Sequence, residues 1–191
     1  MSKTHVVMII PPQPIIGELE ILMKKLNSRF NAAKALFYPP HITLKSLGKI
    51  EDENFKNVMI ELADKVYDID SFQLKMGNFR FFGSTPDYKG VYIPVERSPE
   101  LLGLHNKLVK LLGKYDDGKD RSYKEMERYN PHLTLVGTDI SDENLERAKK
   151  ELSNVSYNYS FPVKKVTLIR HSQETEKPFL YHSTNFWFHE N

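Results

Sequence analysis

Pro40-His41-Ile42-Thr43-Leu44 and Pro131-His132-Leu133-Thr134-Leu135 are two copies of one pattern, 91 residues apart. Prolines precede each, which favours extended backbone and argues for a strand start. Side chains of a strand alternate between its faces. His41 and Thr43 therefore share one face while Ile42 and Leu44 point to the core. The same alternation sets His132 and Thr134 against Leu133 and Leu135. Each copy is a rigid strip offering one imidazole and one hydroxyl, with Lys45 extending the polar side of the first and Val136 standing in its place in the second.

With seven histidines in 191 residues, chance supplies about 0.3 His-x-Thr triplets. A third match, His182-Ser183-Thr184, lacks the leading proline and the apolar fourth residue, and it reads as an incidental strand pair.

Outward from the motifs, the surrounding order repeats. Apolar residues at helical spacing predict helices over 15–30, 52–66, from Pro99 behind Ser98, and from Ser141 through Leu152. Ser98, Ser141 and Asp52 are the expected N-caps. A strand is expected at His5–Ile10 and another at Val91–Val95. Phe72, Leu74 and Met76 alternate, then Phe79 and Phe81 resume in the other phase after Gly77-Asn78; a β-bulge is the expected cause. Tyr157–Val163 shifts phase in the same way at Lys164-Lys165, and Phe179–Phe188 ends the chain as a strand. The series "Pro-His strand, helix, phase-shifted strand, partner strand" thus occurs twice, which points to internal duplication. Gly113–Arg128 is charged, with Asp116-Asp117-Gly118 as a turn signal, and reads as an exposed loop.

Composition narrows the chemistry. The chain has no cysteine, which excludes disulfides, zinc–thiolate sites and thiol nucleophiles. Its formal net charge of +2 is not that of a protein coated in nucleic acid. The apolar run before Pro11-Pro12 is too short for a signal-peptide core, and no later stretch would span a bilayer. A cytoplasmic location, with neither a membrane nor an obligate protein partner, is the expectation.

Two facing strips of this kind suit phosphodiester cleavage. That reaction needs a base for the attacking oxygen and an acid for the leaving alkoxide, and histidine titrates near neutrality. Threonine hydroxyls donate to non-bridging oxygens, where charge develops. No metal or cofactor is required. A metallohydrolase is the competing reading, but such sites recruit carboxylates or closely spaced histidines, and neither motif contains Asp or Glu. A catalytically silent RNA- or nucleotide-binding module is the other.

The run His41-Ile42-Thr43-Leu44-Lys45-Ser46-Leu47-Gly48 resembles the first motif of the two-histidine (2H) phosphoesterase superfamily, most closely its LigT-type group of 2′–5′ RNA ligases and cyclic phosphodiesterases. Gly137-Thr138-Asp139-Ile140-Ser141-Asp142 is similar to the YjcG-like branch. The resemblance covers most of the chain and implies an α+β fold over residues 1–191. That fold is bilobal and pseudo-symmetric, with two antiparallel-rich sheets lining a central cleft and helices outside. It further implies a metal-independent phosphoesterase acting on 2′,3′-cyclic phosphates or 2′–5′ linkages of RNA ends or nucleotides, in a group that also includes reversible 2′–5′ RNA ligases. The family's catalytic residues fall on His41, Thr43, His132 and Thr134. LigT-type members often carry an arginine shortly after the second motif, where this chain has Val136-Gly137. Lys45, Arg121 and Arg170 are the candidates to supply that phosphate contact. Which histidine is acid and which is base stays open, because the repeat makes them equivalent.

Overall fold

A computed structural model describes residues 3–85, 88–115, 128–172 and 182–189. Within them the chain is an α+β protein with a large antiparallel sheet, a small second sheet and four helices. The elements are β1 (Lys3–Ile9), α1 (Ile15–Arg29), β2 (Ile42–Lys49), α2 (Asp52–Tyr67), β3 (Phe72–Met76), β4 (Arg80–Thr85), β5 (Tyr88–Pro94), α3 (Pro99–Leu112), β6 (His132–Val136), α4 (Asp142–Leu152), β7 (Tyr159–Val163), β8 (Lys165–Ser172) and β9 (His182–Trp187).

The seven-stranded sheet runs β4-β5-β6-β2-β1-β8-β9, and β3 pairs with β7 in the second sheet. Exchanging β1 with β5, β2 with β6 and β4 with β8 maps the order of the first six strands onto itself. The same exchange swaps β3 with β7, which pair only with each other. The duplicated unit is therefore β-α-β-α-β-β, occurring as β1 to β4 and again as β5 to β8, with β9 added at one edge. This corrects the expected repeat, in which Val91–Val95 closed the first unit as its partner strand. β5 instead opens the second unit, in the position β1 holds in the first.

The two phase slips also have a different cause from the bulge expected. At Gly77-Asn78 the chain leaves the small sheet (β3) and enters the large one (β4); at Lys164 it does the same between β7 and β8. A change of sheet reverses which side of the strand faces the core, so the apolar alternation restarts in the other phase.

One buried cluster unites Leu19 and Leu26 of α1, Val58 and Leu62 of α2, Leu104 and Leu108 of α3 and Leu145 of α4 with Val7, Ile42, Val91, Leu133 and Leu168 of the sheet. The helices thus cover one face of the large sheet. Ser98 and Ser141 cap α3 and α4, each Oγ accepting from the backbone N–H three residues on, at 3.2 Å. Asp52 does not cap α2: Glu51 holds that position without a side-chain bond, and Asp52 is the first helical residue. The reason is a competing partner, since the Asp52 carboxylate accepts from the Arg170 guanidinium at 2.5 Å. Of the charged stretch 113–128, residues 113–115 form a 3-10 turn and 116–127 lie outside the described residues. Among the described residues no helix is long and apolar enough to cross a membrane.

Candidate active site

β2 and β6 are neighbours at the centre of the sheet, antiparallel, with Ile42 opposite Leu133. Both side chains are fully buried in the helix-covered core. Adjacent residues point the other way, so the uncovered face receives His41, Thr43, His132 and Thr134. Antiparallel strands run in opposite directions; one step either way from the Ile42–Leu133 pair brings position 41 toward 134 and 43 toward 132. All four polar residues are partly exposed. The pseudo-symmetry therefore places each motif's imidazole near the other motif's hydroxyl.

Each ring is fixed in the same manner. His41 Nδ1 lies 2.7 Å from the Pro39 carbonyl oxygen, and His132 Nδ1 lies 2.7 Å from that of Asn130. A carbonyl only accepts, so Nδ1 must carry the proton and donate it. Nε2 is left in both rings as the atom that accepts a proton when neutral and donates one when charged. A backbone bond two residues upstream thus sets tautomer and ring orientation together.

Burial holds both histidines below the ordinary imidazole range. For His41 the bond to Pro39 pulls the other way, and the charge of His132 lowers it further; the two rings are close enough to feel each other. For His132 the Asn130 bond opposes the burial.

Aromatic rings flank each histidine, a feature the motif reading missed. Tyr38 meets His41 with ring centroids 5.7 Å apart. Phe82 and Tyr92 stack on each other at 3.8 Å, and both present edges to His132, at 5.0 and 5.5 Å. Tyr92 stands opposite Thr134 in the sheet. Phe82 and Tyr92 are ordinary strand aromatics in the sequence; only the pairing of β4, β5 and β6 makes them neighbours of the motif.

The segments leading into the motifs are braced against each other. Tyr129 Oη donates to the Thr43 carbonyl at 2.9 Å, and its ring stacks on His105 with centroids 3.6 Å apart. His105 Nδ1 in turn donates to the Leu44 carbonyl at 2.7 Å. Burial raises the Tyr129 phenol well above its usual range, so it stays a neutral donor. On the other side, Asp139 accepts from the N–H groups of Ala33 (2.6 Å) and Lys34 (3.0 Å), at the start of the 3-10 turn Lys34–Phe37 that leads to His41.

The same contact bears on Gly137, where the family's arginine would stand. A Cβ at Gly137 would meet the Ala35 nitrogen, Asp139 Oδ1 and Lys34 Cβ, each at 3.2 Å. These contacts are tighter than ordinary van der Waals spacing, so a side chain at 137 would crowd the segment that Asp139 holds.

The other cations named from sequence have different fates. Arg170 bonds Asp52 and lies over the Phe55 ring, 4.8 Å from its centroid. Its neighbour Ile169 packs with Val6 and Met8 on the histidine side, so alternation turns Arg170 to the α2 side, away from the motifs. Lys45 follows a register slip in which Val7 faces Lys45 and Met8 faces Thr43. Leu44 is the extra residue, and the strict alternation that made Lys45 a continuation of the polar strip ends there. The lysine is buried, 1% exposed. Arg121 lies outside the described residues. His182 sits on the edge strand β9, exposed and opposite Arg170, three strands from β2. Among the described residues no group of three or more His, Asp or Glu is placed to hold a metal ion.

A pseudo-symmetric antiparallel sheet with two histidine strips at its centre is the architecture of the two-histidine phosphoesterases. The 2′-5′ RNA ligase superfamily model matches residues 11–175, and the chain belongs to that family. It is an enzyme of the phosphoesterase kind. A candidate phosphoesterase of Bacillus mycoides (strain KBAB4) is 28% identical over 144 residues, covering 75% of this chain and 77% of that one. A second, from Oceanobacillus iheyensis, is 26% identical over 128 residues, 67% of this chain and 66% of that one. Among solved structures, the TT0787 protein of Thermus thermophilus superposes with a TM-score of 0.70 at 15% identity, covering 96% of this chain and 97% of the other. E. coli LigT complexed with NADP+ gives 0.65 at 16% identity, covering 99% of both.

Proposed function

We propose that the chain hydrolyses 2′,3′-cyclic phosphate or 2′–5′ phosphodiester linkages in RNA ends or nucleotides, with His41 and His132 as general base and general acid. The observation carrying this reading is the matched fixing of both rings through Nδ1, which leaves two Nε2 atoms for one substrate. The neutral imidazole takes a proton from water as its oxygen attacks phosphorus. The P–O bond to the ribose breaks, and the imidazolium gives its proton to the departing alkoxide. Thr43 and Thr134 donate to the non-bridging oxygens. With a ribose hydroxyl in place of water, the same two groups run the ligation direction. LigT has been crystallised with 3′-AMP and with NADP+, which supports a nucleotide as ligand. The family, and a chain without a membrane-spanning helix among its described residues, accord with action in the cytoplasm.

The test is turnover of 2′,3′-cyclic nucleotides, with product positions assigned by phosphorus NMR. A silent binding module would hold the nucleotide and leave it unchanged. Thr43→Val and Thr134→Val keep side-chain shape and remove one donor each; each is expected to lower kcat by ~10²–10³-fold. Unchanged kcat in both variants would remove the hydroxyls from the mechanism.

The pH profile follows from the depressed histidines. A bell-shaped dependence is expected, with limbs that belong to the pair. A lowered pKa means the protonated form is lost at lower pH than for a free imidazole. The alkaline limb of kcat/KM, which reports the free enzyme, should therefore fall below about pH 6.5. A bound phosphodiester anion favours imidazolium, so the corresponding limb of kcat should lie higher. A rate flat across roughly pH 5–9 would contradict dual-histidine catalysis.

A further inference from the structure

The face that carries the histidines continues across the sheet to its far edge. Met8 stands opposite both Thr43 and Thr167, Thr167 opposite Asn185, and Lys165 opposite Trp187. Continued two residues past Met8, just beyond the last paired residues, the same register sets Ile10 between positions 41 and 165. A row His41–Ile10–Lys165–Trp187 therefore crosses β2, β1, β8 and β9 on one face. Phe186 and Phe188, the neighbours of Trp187, are buried in the helix-covered core, so the indole points to the histidine side.

Trp187 is 55% exposed, and Lys165 Nζ sits 4.6 Å from its ring centroid. A single exposed aromatic is unremarkable by itself. Here it forms a wall of a cavity of about 680 Å³ at the end of the sheet, shared with Ile10, Lys165, Ile16 of α1 and Phe161 and Val163 of β7. That volume falls in the range of small-molecule sites. A flat π-surface with a cation over one face, a mostly apolar recess and alignment with the reacting centre are the parts of a single-strand nucleic-acid site.

We propose that Trp187 and Lys165 form a second nucleotide subsite, in which a base stacks on the indole face opposite Lys165 and Lys165 meets the adjoining phosphate. The substrate class this defines is the end of a single-stranded oligoribonucleotide rather than a mononucleotide. Trp187 lies three strand spacings from His41, ~14 Å. The base of the reacting nucleotide hangs from its phosphate through one sugar and does not cross that gap. The indole therefore serves a neighbouring nucleotide of the same strand. This inference rests on His41 and His132 being the reacting centre.

The chain has one tryptophan, so its fluorescence reports this subsite alone and does so without turnover. Titration with a short oligouridylate ending in an unreactive 3′-phosphate should quench it, and quenching should weaken as salt rises. Uridine 3′-monophosphate at the same concentration should quench far less. In turnover, Trp187→Ala should lower the preference for a tetranucleotide ending in 2′,3′-cyclic phosphate over the cyclic mononucleotide by ~5–150-fold, the span of one base–aromatic stack, mainly through KM. Trp187→Phe should recover most of that preference, and Lys165→Gln should reduce the salt dependence. Absent quenching by the oligonucleotide, or an equal loss on both substrates, would overturn the subsite while leaving the reaction intact. Quenching without any turnover would keep the subsite and refute the reaction.

Discussion

His41→Ala and His132→Ala are each expected to lower cyclic-phosphate turnover by at least ~10²–10⁴-fold, the worth of one well-placed acid or base. The double variant should lose little more than the worse single one, because acid and base act in one event. Folding should survive in all three. Each ring bonds a carbonyl two residues upstream, Pro39 or Asn130, and both histidines are partly exposed. Both histidines also have depressed affinities for protons, so the folded state disfavours their charged forms. Stability linked to that difference is present above the unfolded-state pKa and is lost as pH falls from there through the lower folded-state pKa. Alanine at either position should therefore make melting temperature less sensitive to pH below about 6.5. Turnover by phosphorus NMR and melting curves at two pH values check both halves. Full activity in either single variant would take that histidine out of the chemistry.

The parts of this protein that are legible in its sequence are those set by local rules. Serine caps at 98 and 141, the Pro99 helix start and the inward Leu and Val stripes depend on near neighbours, and they stand where the sequence puts them. The strand strips at 41–44 and 132–135 need only alternation. Sequence and structure part where tertiary pairing intervenes. A phase slip at Gly77-Asn78 looks the same in sequence whether the strand bulges or the chain changes sheets; the partner strand decides, and β3 pairs with β7 rather than with a neighbour of β4. Asp52 has the composition and position of a cap, but Arg170, 118 residues away, takes its carboxylate. Arg170 reads as available for phosphate for the same reason, since nothing local reveals its partner. Phe82 and Tyr92 reach His132 only because β4 and β5 pair beside β6.

The opposite face of the motif strands carries the second large effect. Ile42→Ala and Leu133→Ala are each expected to destabilise the fold by ~2–5 kcal/mol, because both residues are fully buried and truncation leaves a cavity in a close-packed core. Their location adds to the cost: Ile42 opposite Leu133 is the pairing through which β2 meets β6, where the two repeats join into one sheet. For a chain of this length each kcal/mol moves the melting temperature by ~2–4 °C, so drops of roughly 4–20 °C are expected. The two side chains are neighbours, so the double variant should depart from the sum of the singles. Activity measured well below the melting point should fall much less than in the histidine variants, since no reacting group is removed. Thermal melts and cyclic-phosphate turnover on Ile42→Ala, Leu133→Ala, His41→Ala and His132→Ala separate the faces cleanly. If the histidine variants unfold while the aliphatic ones melt like the parent, the histidines face the core, and the two-histidine site as drawn does not exist.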